Sequence, residues 1–234
     1  MIRPQPHPLP AEREPIAFSA PVLLLGGGPV DPGALDDLAA RCGAVVAADG
    51  GANRLRAGGP RPAAVIGDMD SLEDRAWWEA AEDVEVVAVT EQDTTDLEKC
   101  LRLTRAPLYL GAGFLGGRFD HALAALHALL RHADRRIVLV GEEDVAFLAP
   151  RDWRAGLAPG ARVSLWPLTP VTVEASSGLV WPAEALALEV GRVIGTSNRA
   201  AAPEVRVRFD RRGCIVMLER RFLDPAVESL PEAG

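Results

Sequence analysis

Asp49, Asp68, Asp70, Asp93, Asp96 and Asp120 lie in four short segments that also carry glycine, threonine or arginine. The segments are Asp49-Gly50-Gly51-Ala52-Asn53, Gly67-Asp68-Met69-Asp70-Ser71, Gln92-Asp93-Thr94-Thr95-Asp96 and Gly116-Gly117-Arg118-Phe119-Asp120-His121. Carboxylates gathered in one place repel each other unless a cation sits among them or some are protonated. Hard divalent cations prefer oxygen ligands, and Mg²⁺ is typically held by one or two carboxylates together with substrate phosphates. Gly50-Gly51 and Gly116-Gly117 would let backbone N–H groups approach a phosphate, each pair just ahead of a helix whose N-terminus favours anions. Arg118 adds a planar fork suited to phosphate oxygens. The joint ligand of such a set is a metal–nucleotide complex. Any one of these loops is explained by turns and helix caps alone. Four of them on one edge of a sheet are not.

The surrounding pattern supplies that edge. Apolar runs at 21–25, 44–48, 63–66, 84–89, 107–110 and 136–140 are short, rich in Val, Ile and Leu, and lack polar alternation. Such runs read as parallel strands buried on both faces. Between them, Leu35, Leu38 and Ala39, and then Leu123, Leu126, Leu129 and Leu130, recur at helical spacing. Strand–helix alternation implies an α/β fold, a parallel Rossmann-like sheet with helices on both faces. Ligands of such sheets bind beyond the carboxyl ends of the strands, which is where the four polar segments fall. Near residue 150 the pattern changes. Gly and Pro recur every few residues, and short runs at 162–166, 171–174, 205–209 and 215–218 read as antiparallel strands. The expected organisation is a flexible tail over 1–20, a nucleotide-binding catalytic domain over 21–150, and a smaller antiparallel β-sandwich over 151–234.

Composition narrows the class. The 234 residues carry a formal charge of −8, which argues against a nucleic-acid partner. No stretch approaches the ~20 apolar residues of a membrane span. The proline-rich start does not resemble a secretion signal, and Cys42, Cys100 and Cys214 are odd in number and widely spaced. A cytoplasmic protein with free thiols is expected. Gly111-Ala112-Gly113-Phe114-Leu115-Gly116 matches the dinucleotide fingerprint in form. Its acidic partner, Glu142, lies about thirty residues on rather than the usual ~20, and a dehydrogenase has no use for the neighbouring carboxylates.

Taken together, these segments resemble the thiamine pyrophosphokinase family, joined downstream by Ser177-Gly178-Leu179-Val180-Trp181 and Thr196-Ser197-Asn198 in the same order. The chain departs from the family's usual pattern in four places, one of them a glycine loop about two residues longer than that of compact bacterial members. Met69 stands where phenylalanine is common, Gln92 where bacterial members have lysine, and Val180 where a basic residue often precedes the tryptophan. The resemblance implies diphosphate transfer from ATP to the thiamine hydroxyl, giving thiamine diphosphate and AMP. It implies Mg²⁺ held by the catalytic carboxylates Asp68, Asp70 and Asp96. Nucleotide contacts would come from Asp49, Gly50, Gly51, Asn53, Thr95, Gly116, Gly117, Arg118 and Asp120. Thiamine contacts would come from Gln92, Trp181, Ser197 and Asn198, across a homodimer whose active sites lie between subunits. Core packing is the competing account of Trp181, and His121 is either a packed helix-start residue or a catalytic one. Three other functions fit some of the residues: a pyrophosphokinase for another alcohol such as a hydroxymethylpterin, an NAD-dependent oxidoreductase using the Gly111 loop, and a non-catalytic nucleotide- or thiamine-binding module.

Overall fold

The computed structural model describes residues 13–56 and 58–232. In chain order the first half comprises β1 (Ile16–Ala17), β2 (Val22–Leu25), α1 (Pro32–Ala40), β3 (Ala44–Ala48), α2 (Ala52–Leu55), β4 (Ala64–Gly67), α3 (Arg75–Glu79), β5 (Glu85–Ala88), α4 (Asp96–Leu103), β6 (Thr104–Arg105), β7 (Tyr109–Ala112), α5 (Phe119–Arg131) and β8 (Ile137–Val140). The second half comprises β9 (Asp144–Leu148), β10 (Asp152–Gly156), β11 (Arg162–Pro167), β12 (Val171–Ser177), β13 (Ala187–Leu188), β14 (Gly195–Arg199), β15 (Glu204–Phe209), β16 (Cys214–Glu219) and α6 (Leu223–Glu228).

Strands β5, β4, β3, β2, β7 and β8 pair in that order and all run parallel. Their side chains alternate between two cores. Leu23 and Leu25 of β2 join one with α1, α2, α3 and α6, whereas Val22 and Leu24 join the other with α4 and α5. Helices therefore cover both faces, and the apolar runs of the inner strands are continuous because neither face meets water, while the edge strand β5 exposes Glu85 and Ala88. The chain leaves β2 in one direction through β3, β4 and β5, then crosses back to place β7 on the other side of β2. The order of the sheet thus reverses between β2 and β7, where the diverging connections leave a crevice.

The second half differs from the expected arrangement. Instead of stopping at β8, the sheet continues antiparallel through β9, β16, β11 and β14 to reach ten strands. A second sheet, in the order β10, β15, β12 and β13, shares a core with the first through Trp153, Val173, Val207 and Phe209 on one side and Phe147, Val163, Leu165 and Val216 on the other. A sandwich does form, but one of its two layers is the extension of the parallel sheet. The cause is β9, whose Val145, Ala146, Phe147 and Leu148 are buried. It turns back from β8 across Gly141 and Asp144, whose backbones bond at 2.8 Å, and so covers an edge that would otherwise expose unpaired backbone groups.

The tail also differs. Ile16–Ala17 pairs in parallel with Thr104–Arg105, and Phe18 N–H donates to the Arg105 carbonyl at 2.8 Å. Residues 13–20 therefore lie along the domain, while residues 1–12 of the expected tail fall outside the described residues. No helix among the described residues is long and apolar enough to cross a membrane.

Candidate active site

The crevice at the switch point opens into a cavity of about 840 Å³. Its walls come from the ends of β2, β3, β4 and β7 and the starts of α4 and α5.

Asp49 follows β3 directly and is 2% exposed. Its left-handed backbone, φ 44°, turns the chain sharply out of the strand. One carboxylate oxygen accepts Ser71 N–H at 3.1 Å, and the other, Oδ1, is buried with no partner among the described residues. Burial, together with the nearby Asp96 and Asp68 charges, outweighs the Ser71 bond and raises its pKa to about 6. Asp68 and Asp70 stand on the loop after β4, and oxygens of Asp49, Asp68 and Asp70 all lie within 4.8 Å of one another. Gly67 allows this approach, since a Cβ there would sit 2.5 Å from the Asp49 Cβ.

Asp96 opens α4, which has strong local reasons to start there. Thr95 is its N-cap, and a reciprocal bond pairs the Thr95 backbone with Glu98. Lys99, one turn on and only 2% exposed at its side chain, reaches back into the cluster. Its Nζ donates to Asp68 Oδ2 at 3.0 Å and to Asp96 Oδ1 at 3.1 Å. Gln92 Nε2 also donates to Asp68 Oδ2, at 3.1 Å. Burial alone would raise the Asp68 pKa, but the bonds from Lys99, the Asp70 N–H and Gln92 leave it below the ordinary carboxylate value. Asp96 goes the other way, raised by burial that its bond to Lys99 only partly offsets. Burial disfavours the Lys99 ammonium, yet the two carboxylates more than compensate and its pKa is raised.

Two glycine loops form the opposite wall. Gly26-Gly27-Gly28 follows β2, and Gly113, Gly116 and Gly117 follow β7. These loops pack on each other: Gly28 N–H donates to the Gly113 carbonyl at 3.0 Å, and a Cβ on Gly28 would meet that oxygen at 2.6 Å. Gly113 has φ +75° and leaves no more room, since a Cβ there would lie 2.5 Å from the Gly26 carbonyl oxygen. In the G-x-G-x-x-G pattern of residues 111–116, Gly113 is thus explained by two backbones crossing at close range, whereas Gly111 packs on the Leu139 side chain and Gly116 on the Pro29 ring.

Most of the predicted residues meet here. Asp49, Gly50, Asn53, Asp68, Asp70, Gln92, Thr95, Asp96, Gly116, Gly117 and Arg118 all line the cavity, and so does His121. Asn53 also bridges loops, donating to the Ser71 carbonyl at 2.9 Å and accepting Glu73 N–H at 2.9 Å. Gly51 does not line the cavity; it lies against β2, where a Cβ would be 2.1 Å from the Leu25 carbonyl. Asp120 also lies outside the lining, in an exposed 2.7 Å ion pair with Arg118. Asp93 is exposed and does not line it either.

Trp181, Ser197 and Asn198 form a separate group on the antiparallel half. Asn198 Nδ2 donates to the Trp181 carbonyl at 2.7 Å, and Trp181 N–H returns a bond to Asn198 Oδ1 at 3.2 Å. Trp181 is 56% exposed, so core packing does not account for it. None of the three lines the acidic cavity.

Sequence reasoning missed two parts of this site. One is the Gly26–Gly28 loop, which the rule about strand carboxyl ends should have found after the first strand. The other is Lys99, a single basic residue three positions after Asp96 on the same helix face.

The donor set is entirely oxygen, it includes a buried carboxylate oxygen with no partner among the described residues, and it faces glycine backbones; this suits a hard divalent ion carried with a polyphosphate. Comparison with known proteins gives the family. Residues 35–140 match the model of the thiamin pyrophosphokinase catalytic domain, and residues 154–213 match that of the thiamin pyrophosphokinase vitamin B1 binding domain. The chain belongs to the thiamine pyrophosphokinase family. Among its curated relatives, thiamine pyrophosphokinase 1 of Oryza sativa subsp. japonica is 32% identical, over 88% of this chain and 88% of that protein. Thiamine pyrophosphokinase 1 of Arabidopsis thaliana is 31% identical, over 70% and 73%. Among solved structures, the Geobacillus thermodenitrificans thiamin pyrophosphokinase superposes with a TM-score of 0.71 at 27% identity, covering 85% of this chain and 96% of that one. The yeast thiamin pyrophosphokinase shares the fold, with a TM-score of 0.73 at 18% identity over 93% and 94%.

Proposed function

We propose that this chain transfers the diphosphate of ATP to the hydroxyethyl group of thiamine, giving thiamine diphosphate and AMP. The observation that carries the reading is the convergence of Asp49, Asp68 and Asp70 within 4.8 Å, in one cavity with Asp96 and two glycine loops. The thiamine hydroxyl oxygen attacks the β-phosphorus of ATP, the bond from that phosphorus to the α–β bridging oxygen breaks, and AMP leaves. Such transfers demand little covalent chemistry of the protein, so positioning and charge stabilisation supply most of the rate.

Asp68, Asp70 and Asp96, with Asp49 beneath them, are the groups that would hold Mg²⁺. The ion would neutralise charge on the transferring diphosphate. Asp49 is anchored by Ser71, and Asp68 by Gln92 and Lys99, so these carboxylates are oriented before substrate arrives. Thr95, Asn53, Gly50, Gly116, Gly117 and Arg118 surround the polyphosphate and nucleoside. On this reading residues 21–150 bind the nucleotide and residues 151–234 bind thiamine.

Trp181 would stack on the aminopyrimidine, with Ser197 and Asn198 as polar contacts. Their separation from the acidic cavity supports a homodimer in which one copy's Trp181 serves the other's carboxylates. The free thiols of Cys42, Cys100 and Cys214 support a reducing, cytoplasmic setting.

The test is direct. Purified protein incubated with thiamine, ATP and MgCl₂ should form thiamine diphosphate and AMP in equal amounts. Release of ADP, or turnover unaffected by EDTA, would refute the assignment.

A further inference from the structure

Lys99 is a buried cation of the cavity wall, and it sits between two of the carboxylates assigned to the metal. It cannot leave easily. It is carried on α4, whose start is fixed by the Thr95–Glu98 capping box, and its neighbours Leu97, Cys100 and Leu101 are in the core. An ammonium has three N–H donors. Two are used, on Asp68 Oδ2 and Asp96 Oδ1, and the third has no acceptor among the described residues.

We infer that Lys99 is the resident cation of the acidic cluster before nucleotide binds, occupying oxygens of Asp68 and Asp96 that a bare divalent ion would otherwise take. The inference rests on the metal–nucleotide reading above and adds an order of events to it. With a positive charge already between the carboxylates, the protein alone is a poor chelator. Metal would therefore enter with the polyphosphate, whose oxygens would complete a ligand set that Lys99 leaves partly occupied. Lys99 acts through Asp68 and Asp96, so it is a positioning residue.

This makes a prediction of unusual sign: removing a well-placed side chain should strengthen metal binding. Lys99→Met and Lys99→Gln would be titrated with Mn²⁺ alone, without nucleotide, and the bound ion read by electron paramagnetic resonance. Both should bind Mn²⁺ at least about tenfold more tightly than wild type, the change expected for losing a unit charge ~5 Å from a divalent ion even at the dielectric constant of water. Arg208→Met, which removes an exposed charge from β15, should stay within about twofold of wild type and so controls for net charge. Diphosphate transfer by both Lys99 variants should fall despite the tighter ion. Unchanged or weaker Mn²⁺ binding in natively folded Lys99 variants overturns the inference. So does failure of both to fold, because the ammonium would then serve the fold alone. A wild-type protein that makes no thiamine diphosphate overturns the functional reading instead, and the Mn²⁺ titration does not depend on that result.

Discussion

Asp49→Asn should make the metal-free protein more stable at neutral pH while destroying its activity. Asp49 is almost wholly buried, has one unpartnered carboxylate oxygen among the described residues, and titrates at about 6 rather than at its ordinary value of 3.8. The sign follows from linkage. A raised carboxylate pKa means that the folded state resists ionisation more than the unfolded chain does. Below about pH 4 both states are protonated and the penalty vanishes; above about pH 6 both are ionised and it is complete. A shift of roughly two units corresponds to about 3 kcal/mol, an upper figure because nearby carboxylates titrate over the same range. Asparagine keeps the acceptor for Ser71 N–H and carries no charge. In EDTA at pH 7.5, urea denaturation should show Asp49→Asn more stable than wild type by about 1–3 kcal/mol, a gap that closes towards pH 4. Saturating Mg²⁺ and ATP should shrink the gap at pH 7.5, because bound ligand stabilises the ionised wild-type site. Equal stability of the two proteins at pH 7.5 and pH 4, or a wild-type advantage in EDTA, would refute the claim that this carboxylate is held in the fold at a cost.

Three further outcomes follow from the same geometry. Asp70→Asn and Asp96→Asn should each lower kcat at least about a hundredfold, the scale of one lost electrostatic contact in a transition state, with native circular dichroism; near-normal AMP release by both would remove the metal role. Trp181→Ala should raise the KM for thiamine by about tenfold or more, consistent with losing one stacking contact, and leave the melting temperature nearly unchanged because the side chain is exposed. Gly51→Ala should destabilise the fold by about 3 kcal/mol or more, since its methyl would overlap the Leu25 carbonyl on a neighbouring strand, and a melting temperature within about a degree of wild type would contradict this.

The sheet was legible where the chain buries it on both faces. The six parallel strands lie within a residue or two of the apolar runs, because five of them face two cores with no polar position to blur them and the edge strand β5 keeps Val86 and Val87 against those cores. The long sheet was not legible as one sheet. Within β9, Val145, Ala146, Phe147 and Leu148 are as apolar as the strands before them, but an antiparallel return after β8 leaves no mark in composition, and the Gly- and Pro-rich chain beyond residue 150 suggested a boundary there. The same distinction governs the site. Carboxylates were found because Asp beside Gly at a strand end is a local pattern. The close packing of glycines on distant backbone left no local pattern, as with Gly51 against Leu25, which places Gly51 outside the cavity lining.

Lys99 shows the limit most clearly. In sequence it is one lysine within a helix, and a lysine is normally solvated. Only the approach of the β4 loop to the first turn of α4 turns it into a buried counter-ion. An acidic cluster is readable as a list of acids, but its working charge depends on a cation that the chain itself supplies from another element. Of the four carboxylates of Asp49, Asp68, Asp70 and Asp96, two bond the Lys99 ammonium, and a buried oxygen of Asp49 has no partner among the described residues. That leaves a site too negative to be at rest and too compensated to grip a bare ion, which is the balance a site needs if its metal is to arrive and depart with the nucleotide.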